Sequence, residues 1–191
     1  RSTVTIPSTV TSIGNVAFKG NPLTSVVWNP VSCTIGTGDN APFYGSPSAI
    51  TSFVFGDSVK SIPGYLCYYM TKLEHIDLPE KLTTIGQHAF YGCSLLQDVE
   101  SPTTVTSIAS DAFAYCKAIT HFAFPQGIKT VATEVLEGCT ALEDVLIPSS
   151  VTTINKDAFY GCSGLNDIHF AANPDNLNWI CDNEFTPTTL C

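Results

Sequence analysis

The chain has 191 residues, 44% of them apolar, enough for one domain or one repeat array with a continuous core. Its net charge is −9, with eight Lys plus Arg and no basic cluster, which excludes nucleic acid and anionic lipid as partners because both require cationic groups. No apolar run approaches the ~18 residues of a membrane helix, and the low charge content (13%) suits a secreted or surface β-protein.

The chain opens at Arg1 without an initiator Met or a leader pattern, so it reads as a segment of a longer protein. Residues 1–5 read as the remnant of a preceding repeat, the end of a strand in "TVTIP". From residue 6 to residue 170 one pattern recurs. A column of Ile13, Ile35, Ile62, Ile85, Ile108, Val131 and Ile154 marks seven units. The last four steps are each 23 residues; the first two, 22 and 27, mark a deletion near Asn21–Pro22 and an insertion around "GTGDNAPFYGS". A second column runs Phe18, Phe43, Cys67, Phe90, Phe113, Leu136, Phe159, and a third contains Cys93, Cys116, Cys139 and Cys162. Proline opens most units, as at Pro79, Pro102, Pro125 and Pro148.

Within the fifth unit Val105 and Ile108 predict a short extended piece after the proline turn. "SDAFAYC" then predicts a single helical turn, on its Ser/Asp start and Ala-Phe pair. Ile119, Phe122 and Phe124 predict a strand with one buried face. No unit can bury its own apolar side chains, whereas stacked units can, with the phenylalanine column as an internal row. Each buried Phe contributes roughly 1.5–3 kcal/mol. The expected architecture is a right-handed, predominantly β leucine-rich repeat solenoid with short helical turns. Its seven coils of 22–27 residues, at the ~4.8 Å strand spacing, span about 34 Å. Residues 171–191 read as a C-terminal capping segment in which Trp179 helps cover the end of the stack, while Trp28 falls in a core strand column.

The pattern L-x-x-[IV]-x-[LF]-P-x-x-[VL]-x-x-I-x-x-x-A-F-x-x-C resembles the leucine-rich repeat of the BspA-like bacterial surface proteins, over residues 6–170. Departures are local: Cys67 and Met70 stand where Phe and Cys are usual, unit two is stretched, and Val135-Leu136 replaces Ala-Phe. The resemblance implies a cell-surface or secreted binding and adhesion role without catalysis.

Cys93, Cys116, Cys139 and Cys162 recur at one position and should stack with parallel Cβ vectors, which disfavours disulfides. They read as a buried ladder of small side chains at a tight corner, where other leucine-rich repeats use Asn. Cys33 and Cys67 are expected buried and free, and Cys181 with Cys191 is the one plausible pair. No C-x-x-C, G-x-S-x-G, H-E-x-x-H or phosphate loop occurs, so neither an enzyme nor a cofactor is expected.

The outward strand positions are more informative. One column reads His75, Asp98, His121, Asp144 and Asp167; its neighbour reads Asp77, Glu100, Ala123, Leu146 and His169. Three of four histidines thus share a face with five of the carboxylates. This stripe is either an ordinary solvated sheet face or a ligand site for a divalent cation, a basic protein segment or a glycan. His121, between Asp98 and Asp144, should titrate above the free-imidazole value. His88 reads as plain surface. Tyr44, Tyr68, Tyr91 and Tyr160 share one register position on the turn side, either as an aromatic contact strip or as a shield over the turn. The function expected is a monomeric extracellular recognition module for a host or neighbouring-cell protein or glycan, secreted or on the bacterial cell surface. The alternative is a structural spacer holding another domain off the envelope.

Overall fold

A computed structural model describes residues 2–45, 49–171 and 178–179. The chain winds into a β-solenoid of about seven coils with almost no helix. Each coil contributes three segments, and each segment stacks on its counterpart in the next coil.

The first stack uses the long strand of the repeat. β1 (Ser2–Ile6), β2 (Leu23–Trp28) and β3 (Ser52–Phe55) pair in parallel, with Val4 against Val26 against Phe53. The second stack uses the short piece at the isoleucine column. Here β4 (Ser61–Ile62), β5 (Thr84–Ile85) and β6 (Ser107–Ile108) align Ile62, Ile85 and Ile108. β7 (His121–Ala123) returns to the long-strand stack and pairs with β9 (Asp144–Ile147), which pairs with β11 (Asp167–Phe170). β8 (Thr130–Val131), β10 (Thr153–Ile154) and β12 (Asn178–Trp179) continue the short stack, with Val131 against Ile154 against Trp179. Thus β1 forms the strand expected at the N-terminus. Trp179, expected to cover the end of the stack, adds its backbone to the last sheet.

The third segment differs from expectation. "SDAFAYC" and its counterparts form no helical turn; the 3-10 turn at Gly38–Asn40, in the inserted unit, is the one helix among the described residues. Amide donors alternate instead between the segment's own carbonyls and those of the next coil. Phe90 and Gly92 N–H donate to Ala112 and Ala114 carbonyls at 2.8 and 2.9 Å. Between them, Tyr91 and Cys93 N–H donate to His88 and Phe90 carbonyls at 3.1 and 3.2 Å. The alternation needs two left-handed residues four apart: His88 and Gly92 (φ 56° and 72°), Asp111 and Tyr115 (58° and 59°), Glu134 and Gly138 (55° and 67°). A helix would satisfy only its own coil, whereas this geometry links each coil to its neighbour through a third ladder.

The core runs as one cluster from Ile6 to Ile168. Phe18 stacks on Phe43 with centroids 4.9 Å apart, and Phe90 on Phe113 at 5.2 Å with an 8° interplanar angle. Leu136 and Phe159 continue the row, both buried. Trp28 is fully buried, as expected. Cys93, Cys116, Cys139 and Cys162 are free and buried, each thiol donating to a carbonyl 26 residues back at 3.1–3.2 Å. That bond is the service an Asn amide would render at such a corner. Cys67 is also free and buried, but Cys33 is half-buried. Ile13 and Phe18, in the coil that Cys33 adjoins, are half-buried as well, so the stack closes less tightly there. The Cys181–Cys191 pairing lies outside the described residues.

Candidate functional site

Two faces carry chemistry, an exposed strand face and a half-buried turn face. The strand face is built by the 2-residue period of the long strand: in β7, His121 and Ala123 point out and Phe122 points in. Register then places His121 beside Asp144 beside Asp167, and Ala123 beside Leu146 beside His169. His121 Nδ1 meets Asp144 Oδ2 at 2.5 Å, and His169 Nε2 lies 3.3 Å from Asp167 Oδ2. Asp98 acts one coil earlier. Its Oδ1 accepts from the backbone N–H of Thr120 and His121 at 2.7 and 3.0 Å, and its Oδ2 accepts from the Thr120 hydroxyl at 3.0 Å.

The strand ladder is not continuous beneath this face. Residues 73–78 and 96–100 form no strand, so His75, Asp77, Asp98 and Glu100 stand exposed on irregular segments rather than on a regular sheet. Asp98 supplies with its side chain the acceptors that a neighbouring strand would have supplied. The structure therefore brings His121, Asp98 and Asp144 together, and His169 with Asp167, and leaves His75, Asp77 and Glu100 separately exposed.

The electrostatics follow. The hydrogen bond and charge of Asp144 raise the His121 pKa, with Asp98 adding less, in the direction the sequence implies. Burial pushes the Asp98 carboxyl up, but the N–H groups of His121 and Thr120 outweigh it, and the pKa is lowered.

The turn face holds more than the sequence reading found. Tyr44, Tyr68 and Tyr91 form a row with centroids 5.7 and 5.4 Å apart. Tyr69 lies 5.4 Å from Tyr91, and Tyr115 lies 5.2 Å from it. Tyr160 lies apart, 53% exposed, because the intervening coils carry Ala114 and Glu137 in its column. His88 is half-buried in this cluster rather than plain surface. Its ring stacks on Tyr65 at 4.6 Å and 7°, and its Nε2 lies 3.8 Å from Asp111 Oδ1. Between Tyr44, Tyr68 and Tyr69 a depression of about 230 Å³ opens, lined also by Phe43 and Met70.

Carboxylates adjoin the rings. Ligand atoms of Asp111, Glu134 and Glu137 lie within 4.8 Å of one another, the one such group of three among the described residues. Asp111 is 8% exposed. The Tyr115 hydroxyl donates to Glu137 Oε1 at 2.6 Å, and that bond pushes the phenol up to about 12. Burial, then the charge of Glu137, raises Asp111; burial, then the charges of Asp111 and Glu137, raises Glu134. Burial lowers His88, whose enclosed Nδ1 has no hydrogen-bond partner for a second proton. These residues were legible in columns flanking the phenylalanines: Tyr65, His88, Asp111, Glu134 and Asp157 recur every 23 residues.

The sequence matches the BspA type leucine rich repeat region in six copies, over residues 2–119 and 60–189. No curated protein matches the chain. Among solved structures it is similar to a leucine-rich repeat protein from T. pallidum (25% identity, TM-score 0.69, 86% of this chain and 78% of that one). It is also similar to one from Bacteroides ovatus (27%, 0.77, 97% and 49%), of which it spans about half the length. A third, from Eubacterium ventriosum (20%, 0.50, 90% and 60%), shares the fold.

Proposed function

The chain belongs to the BspA-type leucine-rich repeat family of bacterial surface proteins, and from that premise we propose that it is an extracellular recognition and adhesion module. Repeat scaffolds of this family serve protein interaction, and among the described residues no helix is long and apolar enough to cross a membrane. The partner proposed is a host or neighbouring-cell protein or a glycan, held on the exposed strand face without a chemical step. The observation that supports this reading is the register of β7, β9 and β11. It aligns exposed His121 with half-buried Asp144 and Asp167 in one file, with Ala123, Leu146 and His169 exposed beside it.

A rigid file suits recognition because its side chains are placed before the partner arrives, which reduces the ordering cost of association. Leu146, 42% exposed between Ala123 and His169, adds an apolar contact to the polar file. A spacer would have no use for a localised patch of this kind.

The test is capture. The 191-residue chain is screened against extracellular-matrix proteins and a glycan array, with His121→Ala and Asp144→Asn chains in parallel. The expected result is at least one saturable partner whose affinity falls about tenfold in both variants at unchanged melting temperature. Failure to find any saturable partner, or equal binding by all three chains, would overturn the strand-face reading.

A further inference from the structure

The repeat is regular enough that its departures can be located, and three of them meet at the depression on the turn side of coils two and three. The first is the insertion in unit two. Its 3-10 turn, Gly38–Asn40, carries Asp39, whose carboxylate accepts from the Tyr44 hydroxyl and holds that ring at the rim. The second is Tyr69, which adopts a left-handed backbone (φ 58°) at a position that glycine fills in five other coils. Its ring lies over Gly92, where a Cβ would come within 2.7 Å of it, and the residue stays 44% exposed. The third is Met70, standing where the cysteine ladder would continue and buried at the floor beside Phe43. Closing the turn does not demand a left-handed tyrosine, since Gly138 and Gly161 close it elsewhere. Local rules broken together around one cavity point to a site.

We propose that this depression binds one neutral pyranose unit of a partner's glycan, seated among Tyr44, Tyr68 and Tyr69. The inference rests on the recognition reading above for its class of function and assigns it a second site, on the turn face. Size is the first argument. A volume of about 230 Å³ lies below the ~300–1,000 Å³ of sites for drug-sized ligands and leaves room for a single ring. Charge is the second. Among the described residues that line the depression none is charged. Around it Asp39 is matched by Lys19, whose side chain passes 3.3 Å from where a Gly45 Cβ would stand. A buried charge on the ligand would lack a counter-charge of its own, so a neutral ligand is favoured. The third argument is the tyrosines themselves. Each offers a π face for the C–H groups of a sugar ring and an oxygen for its hydroxyls. The Tyr44 hydroxyl, donating to Asp39, keeps lone pairs that accept from a sugar O–H. A wholly aliphatic side chain would match the rings and not the oxygens.

The probe is a set of methyl glycosides of glucose, galactose, mannose and N-acetylglucosamine, titrated onto the 191-residue chain and followed by saturation-transfer NMR. N-acetylneuraminic acid and N-acetyl-leucine amide serve as the anionic and the aliphatic comparison. The expected result is saturable binding of at least one methyl glycoside and of neither comparison compound. Tyr69→Gly restores the residue that most coils carry there, and Tyr44→Ala copies Ala114 of coil five, so both chains should fold. Each should weaken the glycoside about tenfold, as loss of a stacked ring does. Tyr160→Ala removes an exposed tyrosine elsewhere in the same column, and His121→Ala alters the strand face; both should leave the affinity unchanged. Tighter binding of the leucine amide would make the depression a seat for a protein side chain, and tighter binding of the acid a seat for an anion; either overturns the inference. So would absence of glycoside binding by a folded chain, equal loss in Tyr160→Ala, or loss confined to His121→Ala. The last result would move the sugar to the strand face, and the others leave the strand-face reading to its own capture screen.

Discussion

The strand face and the turn face obey one stacking rule and reach opposite electrostatic outcomes. On the strand face the column alternates from Asp98 through His121 to Asp144 before Asp167 repeats the carboxylate, so His121 meets Asp144 and the Asp98 carboxylate is taken up by backbone donors. On the turn face like follows like: tyrosine lies on tyrosine, and Asp111, Glu134 and Glu137 crowd together. A parallel stack with a fixed 23-residue register turns each choice of residue into a choice of neighbour. Alternation pairs unlike groups, and repetition packs like against like, ring on ring and carboxyl by carboxyl.

The largest expected effect tests what the two faces share. Phe113 lies beneath both, stacked on Phe90 and edge-on to Phe122 at 5.2 Å. Phe113→Ala should cost about 3–5 kcal/mol in chemical denaturation, as deletion of a buried aromatic does. Phe18→Ala, half-buried in the first coil, should cost clearly less. Equal costs would mean that the phenylalanine row does not couple the coils. Next in size is Gly138→Ala, which acts on the turn face alone. Gly138 sits at φ +67°, and an added Cβ would come within 2.6 Å of the Tyr115 ring. The left-handed backbone alone makes this roughly a 1–2 kcal/mol loss. Displacing Tyr115 should also release its hydroxyl from Glu137, so spectrophotometric titration should show the phenol falling from about 12 toward an ordinary value. Gly14→Ala, with open space around it, serves as the neutral comparison.

Legibility differed between the faces for a physical reason. The strand face was readable because strand residues alternate in and out, so period and register together named His121, Asp144, Asp167 and His169 as outward neighbours. The break at residues 73–78 and 96–100 was not readable, since "HID" and "DVE" alternate as well as "HFA" does. The turn face was misread as helical because "SDAFAYC" carries good helix-starting residues. Its real determinant, a pair of left-handed residues four apart in every 23, is written openly only where glycine supplies one of them, at Gly92, Gly138 and Gly161, and is hidden at Tyr115 and along the column of His88, Asp111 and Glu134. The cysteine column was readable down to its free thiols, though not the carbonyl each one meets. That bond predicts a smaller effect. Cys116→Ala should lose about 1 kcal/mol for the missing donor, and thiol reagents should reach half-buried Cys33 well before the ladder.

The smallest effect separates the faces most cleanly. His121 is raised by Asp144 and His88 is lowered by burial, so in an NMR titration the two imidazoles should fall on either side of the ordinary 6.5. Their linkage to folding has opposite sign. His121 binds its proton more tightly when folded, so its contribution is complete below 6.5 and is lost as pH rises through the raised pKa. His88 binds its proton less tightly when folded, so stability falls as pH drops through 6.5 toward the lowered pKa and levels off below it. Asp144→Asn should return His121 toward 6.5 and leave His88 unmoved, because Asp144 sits on the strand face and His88 is enclosed by Tyr65 and Tyr91 on the turn face. If the two histidines titrate together, the faces share one environment and the contrast between a paired imidazole and an enclosed one fails.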